Sequence, residues 1–152
     1  MKIVQAEAKD LKQILELQYN AFKDVAAKLG EDIEPLNETL AQLTDEYRKG
    51  IILKAVNYDR EIIGSVRAYT DTDCTHIVRL IVRPDCQRQG VGGALLREIE
   101  RLCPAEKYEL FTAAGGSGIE LYKKNGYIPY SEEKKSDKLT MVHMCKESVL
   151  YF

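Results

Sequence analysis

His76-Ile-Val-Arg-Leu-Ile-Val-Arg-Pro-Asp-Cys-Gln-Arg-Gln-Gly-Val-Gly-Gly-Ala-Leu-Leu96 decides how this chain is read. It begins as a strand, His76 to Arg83, continues as a polar loop, and ends in glycines that open a helix from Val91 to Cys103. A glycine-rich loop feeding a helix N-terminus gathers several backbone N–H groups on one spot, and the helix dipole adds partial positive charge there. The spacing therefore predicts a phosphate or pyrophosphate site, flanked by the full charges of Arg83 and Arg88. A side chain at Gly90 or Gly92 would stand between the backbone and the phosphate oxygens, and glycine tolerates the positive φ that a nest of N–H groups needs. Behind the loop, Val91, Leu95, Ile99 and Leu102 fall on one apolar helix face, and Pro104 ends the helix.

Two familiar phosphate loops are excluded. A P-loop requires Gly-Lys-Ser/Thr, which does not occur here. A dinucleotide fingerprint requires a third glycine or alanine where Leu95 stands, and no acidic residue follows at the expected place.

The rest of the chain supplies the frame. Its 152 residues suit one domain, residues 1–152, with a sizeable core. A hydrophobic fraction of 45% and a charged fraction of 30% describe an ordinary globular balance. The net charge is −2 with both signs interspersed, so no basic tract points to nucleic acid. No apolar run is long enough to span a membrane, and the N-terminus lacks a signal-peptide core, so a cytoplasmic protein is expected. Cys74, Cys86, Cys103 and Cys145 show no Cys-x-x-Cys spacing. With two histidines in the chain, this pattern predicts reduced thiols and no metal.

Periodicity gives the element order. Residues 2–7 read as a strand. Leu11, Ile14, Leu15, Phe22, Val25 and Leu29 predict a helix over 9–29 stopped by Gly30. Leu36, Leu40, Leu43 and Tyr47 predict a second helix to Gly50. Ile51–Tyr58 and Glu61–Tyr69 form a hairpin about Asp59-Arg60. A strand over Tyr108–Ala113 follows the loop helix. Ser117-Gly-Ile-Glu120 has the form of a capping box opening a helix to Asn125. Tyr127–Tyr130 reads as a short strand, Ser131–Asp137 as a charged turn, and Leu139–Cys145 as a last strand. The fold class is α/β (α+β): a mixed, mostly antiparallel sheet of six or seven strands flanked by about four helices. The tail Val149–Phe152 is apolar for a chain end, which leaves two alternatives, packing on the domain or on a second subunit as a homodimer.

Gln87-Arg88-Gln89-Gly90-Val91-Gly92 resembles the Gln/Arg-x-x-Gly-x-Gly/Ala loop of the GNAT acetyltransferase superfamily. Leu121-Tyr-Lys-Lys-Asn-Gly-Tyr127 resembles that family's second marker, and the element order matches along essentially the whole chain. The resemblance implies acetyl-CoA as cofactor. Gln87, Arg88, Gln89, Gly90, Val91, Gly92, Gly93 and Ala94 would contact its pyrophosphate. The backbone of Leu80, Ile81 and Val82 would hold the pantetheine arm, in a gap between that strand and the strand of Phe111 and Thr112. The implied activity is transfer of the acetyl group by direct attack of a primary amine, on a small molecule or a peptide. A catalytically weak or inactive module that only binds or senses acyl-CoA is the alternative.

An alkyl amine of pKa about 10.4 must lose a proton before it attacks, which costs about 4.6 kcal/mol at neutral pH. The family often places a Glu for this on the strand before the loop, and here that position is His76, whose ordinary pKa suits a proton relay. Tyr122 matches the tyrosine that assists the leaving thiolate. An Asn that commonly bonds the pantetheine arm in the family is replaced by Gly115, so either the backbone or Ser117 substitutes for that contact or cofactor affinity is reduced. Glu31, Asp32, Glu34, Asp71 and Asp73 fall in segments that often line the acceptor site, where carboxylates suit a cationic amine.

Overall fold

Ile51–Val56 shows why this chain builds a sheet covered on both faces. Ile52 packs into one hydrophobic cluster with Leu11, Ile14, Leu15 and Leu43, while its neighbour Leu53 packs into another with Val66, Leu95, Leu96 and Ile99. Successive side chains of a strand point to opposite faces, so a run of apolar residues without alternation demands a cover on each side. The computed structural model describes residues 1–148, so the two readings of the Val149–Phe152 tail lie outside the described residues.

The strands are β1 (Lys2–Gln5), β2 (Ile51–Val56), β3 (Ile62–Asp71), β4 (Cys74–Val82), β5 (Lys107–Ala113), β6 (Ile128–Lys134) and β7 (Thr140–Glu147). They form one sheet in the order β1-β2-β3-β4-β5-β7-β6. Every neighbouring pair is antiparallel except β4 and β5. Helices α1 (Leu11–Leu29) and α2 (Leu40–Lys49) contribute to the first cluster. Helices α3 (Val91–Leu102) and α4 (Gly118–Lys124) contribute to the second. The mostly antiparallel seven-stranded sheet with four helices is the architecture expected from the sequence. Among the described residues no helix is long and apolar enough to cross a membrane.

Three departures from expectation have physical reasons. Leu36 keeps the helical period, but Glu34-Pro35-Leu36 forms a separate 3-10 turn. Helix α2 begins only after Thr39, whose side chain and that of Gln42 form a reciprocal capping box. Val25 also keeps the period of α1 yet is 39% exposed, because the core side chains of that helix lie in its first half. The charged turn expected over Ser131–Asp137 is strand as far as Lys134. An edge strand paired on one side only, with all seven residues exposed, needs no apolar alternation and carries charge as protection against further pairing.

The α1–α2 face holds a buried charged network. Arg67 of β3 is 2% exposed. Its guanidinium donates to both oxygens of Glu38 at 3.0 and 2.8 Å, to Gln18 at 2.5 Å, and to Glu46. It thereby ties α1, the α1–α2 connection and α2 to the sheet. Burial pushes the Glu38 carboxyl up, but the Arg67 hydrogen bonds and charge outweigh it, and the pKa lies below the ordinary value. A depressed carboxyl stabilises the fold above its unfolded pKa, and that contribution is lost as pH falls through the folded value.

We expect Arg67→Met to cost about 3–5 kcal/mol near neutral pH by leaving Glu38 buried without its counter-charge. The deficit relative to wild type should shrink in acid, where the buried, unpaired Glu38 of the variant takes up a proton. Urea unfolding at neutral pH and near pH 4 measures both, and a deficit independent of pH would remove Glu38 from the account.

Candidate functional site

Strands β4 and β5 pair in parallel only at Cys74–Lys107, Thr75–Tyr108 and His76–Glu109. Strand β4 then continues for six residues, Ile77 to Val82, and β5 for four, Leu110 to Ala113, without further pairing between them. The two strands part immediately after His76 and leave facing backbone edges along the gap. Strand β4 is also bulged. Arg67 faces Val78 and Ser65 faces Ile81, so Arg79 and Leu80 together stand opposite Val66. Arg79 takes a φ of 53°, left-handed backbone that a bulged arginine adopts only under constraint. No signal in the sequence marks it, since the residue is not a glycine.

At the far end of β4 lies the glycine loop. The chain crosses a short 3-10 turn, Pro84–Cys86, then turns left-handed at Arg88 (φ 62°) and Gly90 (φ 85°) before entering α3. Ala94 N–H is the first of the helix to reach a carbonyl, that of Gly90, at 3.1 Å. Among the described residues the backbone N–H groups of positions 88–93 find no protein acceptor. Six consecutive unpaired donors at a helix N-terminus can cradle an anion. Val91 is buried and Ala94 half-buried, so these positions can serve a ligand chiefly through backbone.

The two arginines differ. Arg83 is committed to Asp85 in a two-point pair at 2.7 and 3.2 Å, with Glu61 at 3.5 Å, so its charge is already neutralised. Arg88 has no partner among the described residues. Gln87 donates to the Val82 carbonyl at 3.2 Å and Gln89 to the Asp85 carbonyl at 3.5 Å.

Gly90 and Gly92 also differ. A Cβ on Gly90 meets nothing within 4 Å, as expected at an open mouth. A Cβ on Gly92 would lie 3.0 Å from Leu121 and 3.7 Å from Val82. The second glycine thus allows α3, α4 and the end of β4 to approach one another. Its direction is towards packing rather than towards a phosphate, which corrects the reason expected from the sequence. The Ser117 capping box is not formed either. Ser117 precedes α4 with φ −69° and ψ −17° and makes no side-chain cap bond, because Gly115 and Gly116 bring the chain in already turned.

Tyr122 projects from α4 into the second cluster and is 8% exposed. It meets Tyr127 edge-on at 6.0 Å. Burial pushes its phenol up to about 12, so the hydroxyl is protonated across the neutral range. Its hydroxyl has no hydrogen-bond partner among the described residues. His76 stands on the other face of the sheet. Its ring stacks on Tyr69 at 4.8 Å and 19°. Nε2 lies 3.1 Å from Asp71 and Nδ1 3.8 Å from Glu109. The two candidate catalytic groups therefore lie on opposite faces, at the gap between β4 and β5. Glu109 is a neighbour that sequence distance conceals, since only strand pairing brings it to His76.

The carboxylates expected at an acceptor site divide. Glu34 lines an open cleft with Asn37, Glu38, Asp45, Glu46 and Arg79. Asp71 belongs to His76. Asp32 is bonded to Asn37 at 2.7 Å and Glu31 to the Ser136 hydroxyl. The backbone carbonyl of Asp73 accepts from Lys107 N–H at 3.2 Å at the closed end of the parallel pair. On the His76 face, Phe111, Tyr130 and His143 form an exposed aromatic strip, with centroids of 5.6 and 6.1 Å to His143.

The fold recurs among solved structures. The PaiA N-acetyltransferase of Thermoplasma acidophilum, in complex with coenzyme A, superposes with a TM-score of 0.79 at 21% identity, over 97% of this chain and 98% of that one. A GNAT superfamily phosphinothricin acetyltransferase from Sinorhizobium meliloti, in complex with AcCoA, gives 0.78 at 17%, over 96% and 87%. The ribosomal-protein-S18-alanine N-acetyltransferase of Escherichia coli gives 0.77 at 17%, over 99% of both chains. No curated protein matches the chain by sequence. Residues 18–148 match the acetyltransferase (GNAT) domain family, and the chain belongs to it.

Because the Tyr122 hydroxyl has no protein partner to lose, Tyr122→Phe should shift the ligand-free Tm by no more than a few degrees. Differential scanning calorimetry checks this, and a loss of ten degrees or more would mean that the hydroxyl holds the core.

Proposed function

We propose that this chain transfers the acetyl group of acetyl-CoA to a primary amine by direct attack, without an acyl-enzyme. The observation that carries the reading is the gap that opens directly after His76–Glu109 and runs towards six unpaired backbone donors. An extended arm bearing amide groups suits two unpaired strand edges, and a pyrophosphate suits the donor cradle with Arg88 beside it. Leu80, Ile81 and Val82 supply the β4 edge, residues 87–94 the cradle, and Ser117 a polar group near the start of α4. The thioester then lies in the gap between His76 and Tyr122.

In this mechanism the amine gives up a proton to His76, directly or through one water, and its lone pair attacks the thioester carbon. His76 Nε2–H donates to Asp71, which leaves Nδ1 free to accept. The C–S bond then breaks and negative charge moves to sulfur. Transfer of a proton from a phenol near 12 to a thiolate of ordinary pKa about 8.5 is uphill by about 3.5 units, or about 4.8 kcal/mol. Tyr122 therefore acts chiefly by donating a hydrogen bond to the leaving sulfur, and solvent completes the protonation. The cleft of Glu34, Glu38, Asp45, Glu46 and Arg79 carries more carboxylates than cations, which favours a cationic amine, and the strip of Phe111 and Tyr130 offers it aromatic faces.

Coenzyme A should raise the Tm of the wild type, and Arg88→Glu should remove most of the rise by reversing the unpaired charge of Arg88 beside the loop. Arg88 is exposed, so the variant folds, unlike a large residue at Gly92 that would displace Leu121. An undiminished rise would place the phosphates elsewhere.

With a panel of amines and acetyl-CoA, His76→Ala should lower the rate about 10²–10⁴-fold near neutral pH while leaving the coenzyme A shift in place. Tyr122→Phe should lower kcat by the value of one charge-assisted hydrogen bond, about 10–10²-fold, with little change in KM. Free-thiol release measures both, and unchanged rates in both variants would overturn these assignments.

A further inference from the structure

We propose that Cys74, His76 and Glu109 form a site for a zinc-like divalent transition metal at the point where β4 and β5 part. Their ligand atoms, one from each residue, all lie within 4.8 Å of one another. The cysteine spacing in the sequence argued against a metal, but that argument sees only residues close along the chain. Cys74 and His76 are two apart on one strand and so share a face. Glu109 is brought to the same face by the parallel register His76–Glu109.

Sulfur, imidazole nitrogen and one carboxylate are the donor set of zinc, and three protein ligands leave a fourth position for water or substrate. Tetrahedral coordination requires ligand–ligand separations of about 3.3–3.7 Å. His76 Nδ1 and Glu109 Oε2 stand at 3.8 Å already, so small side-chain adjustments close the site. The outer contacts are those a metal-binding histidine uses. The Asp71 carboxylate at 3.1 Å accepts a hydrogen bond from Nε2–H, which fixes the tautomer with the Nδ1 lone pair facing Glu109. Tyr69 stacks on the ring and holds its plane. Glu109 shares its two oxygens, Oε1 with Lys107 at 3.4 Å and Oε2 with His76. Burial and then the Glu109 charge push the Cys74 thiol up to about 11, so without a cation it is a neutral thiol. Binding forms the metal–sulfur bond and releases the thiol proton to solvent. Cys145 is paired with Glu109 from the other side, but its sulfur is outside the group.

A metal here takes the Nδ1 lone pair that acetyl transfer uses, so zinc should inhibit and a chelator should restore activity. That consequence rests on the proposed function, whereas metal binding does not.

The test is titration of the reduced, full-length protein with Co²⁺. One equivalent should give a saturable thiolate-to-cobalt charge-transfer band in the near ultraviolet, abolished by Zn²⁺. Cys74→Ser should lose the band, and Cys145→Ser and Cys86→Ser should keep it. Glu109→Gln, on a half-exposed position, should weaken Co²⁺ binding at least tenfold, and Asp71→Asn about 10–100-fold. No saturable band in the wild type, or a band that survives Cys74→Ser, overturns the site. The titration needs no turnover, so its failure leaves the acetyl-transfer reading untouched.

Discussion

The parallel pairing of β4 with β5 ends after three residue pairs, and the rest of the molecule is arranged around that ending. Backbone N–H and C=O groups are obligatory hydrogen-bonding groups, and strands that part must pair elsewhere, face water, or wait for a ligand with amides of its own. Here the outer edges are satisfied, β4 by β3 and β5 by β7. Among the described residues the inner edges beyond His76 and Glu109 do not pair with each other. The opening is held by packing at its far end, where Leu121 of α4 and Val82 of β4 crowd against Gly92 of α3. A larger residue at Gly92 would push these elements apart and widen the gap. The bulge at Arg79 has the complementary effect, turning the second half of β4 out of register with the first.

The two faces of the sheet serve different needs. On the α3–α4 side the core is apolar and dense, from Leu95, Leu96 and Ile99 to Met144, and it fixes the donor loop rigidly above the strand ends. On the α1–α2 side an ionic network of Arg67, Glu38, Glu46 and Gln18 does part of that work. Such a network stabilises less than an apolar core of equal volume, because each charge must first leave water. Its cost is visible in the buried Nε atoms of Arg67 and Arg79, which have no hydrogen-bond partner. What it provides is a fixed arrangement of carboxylates at the surface cleft, one that hydrophobic residues could not offer.

His76 illustrates how much a strand position read from the sequence leaves open. The strand position is occupied by an imidazole, whose two ring nitrogens can each donate or accept. Its character is then set by neighbours from three strands: the stacking ring of Tyr69, the Asp71 carboxylate before the turn, and Glu109 across the parallel pair. Both of its ring nitrogens therefore face a carboxylate.

Local chemistry made much of this readable in advance. The helical period of Val91, Leu95 and Ile99, the glycines at 90 and 92, and the hairpin at Asp59-Arg60 are constraints between residues close along the chain. Each was legible because period, turn chemistry and helix start act over a few residues. The edge strand β6 was only partly legible, since an exposed strand has no burial pattern to betray it. The tertiary structure alone decided what depends on distant residues meeting. It showed that Arg83 is neutralised by Asp85 and Glu61 while Arg88 is not. It turned the second glycine of the loop towards Leu121, brought Glu109 to His76, and placed Tyr122 and His76 on opposite faces of one gap. The physical reason is register. A sequence specifies which segments become strands, but the neighbour of each side chain across a strand pair is fixed only when the whole sheet closes on its two cores.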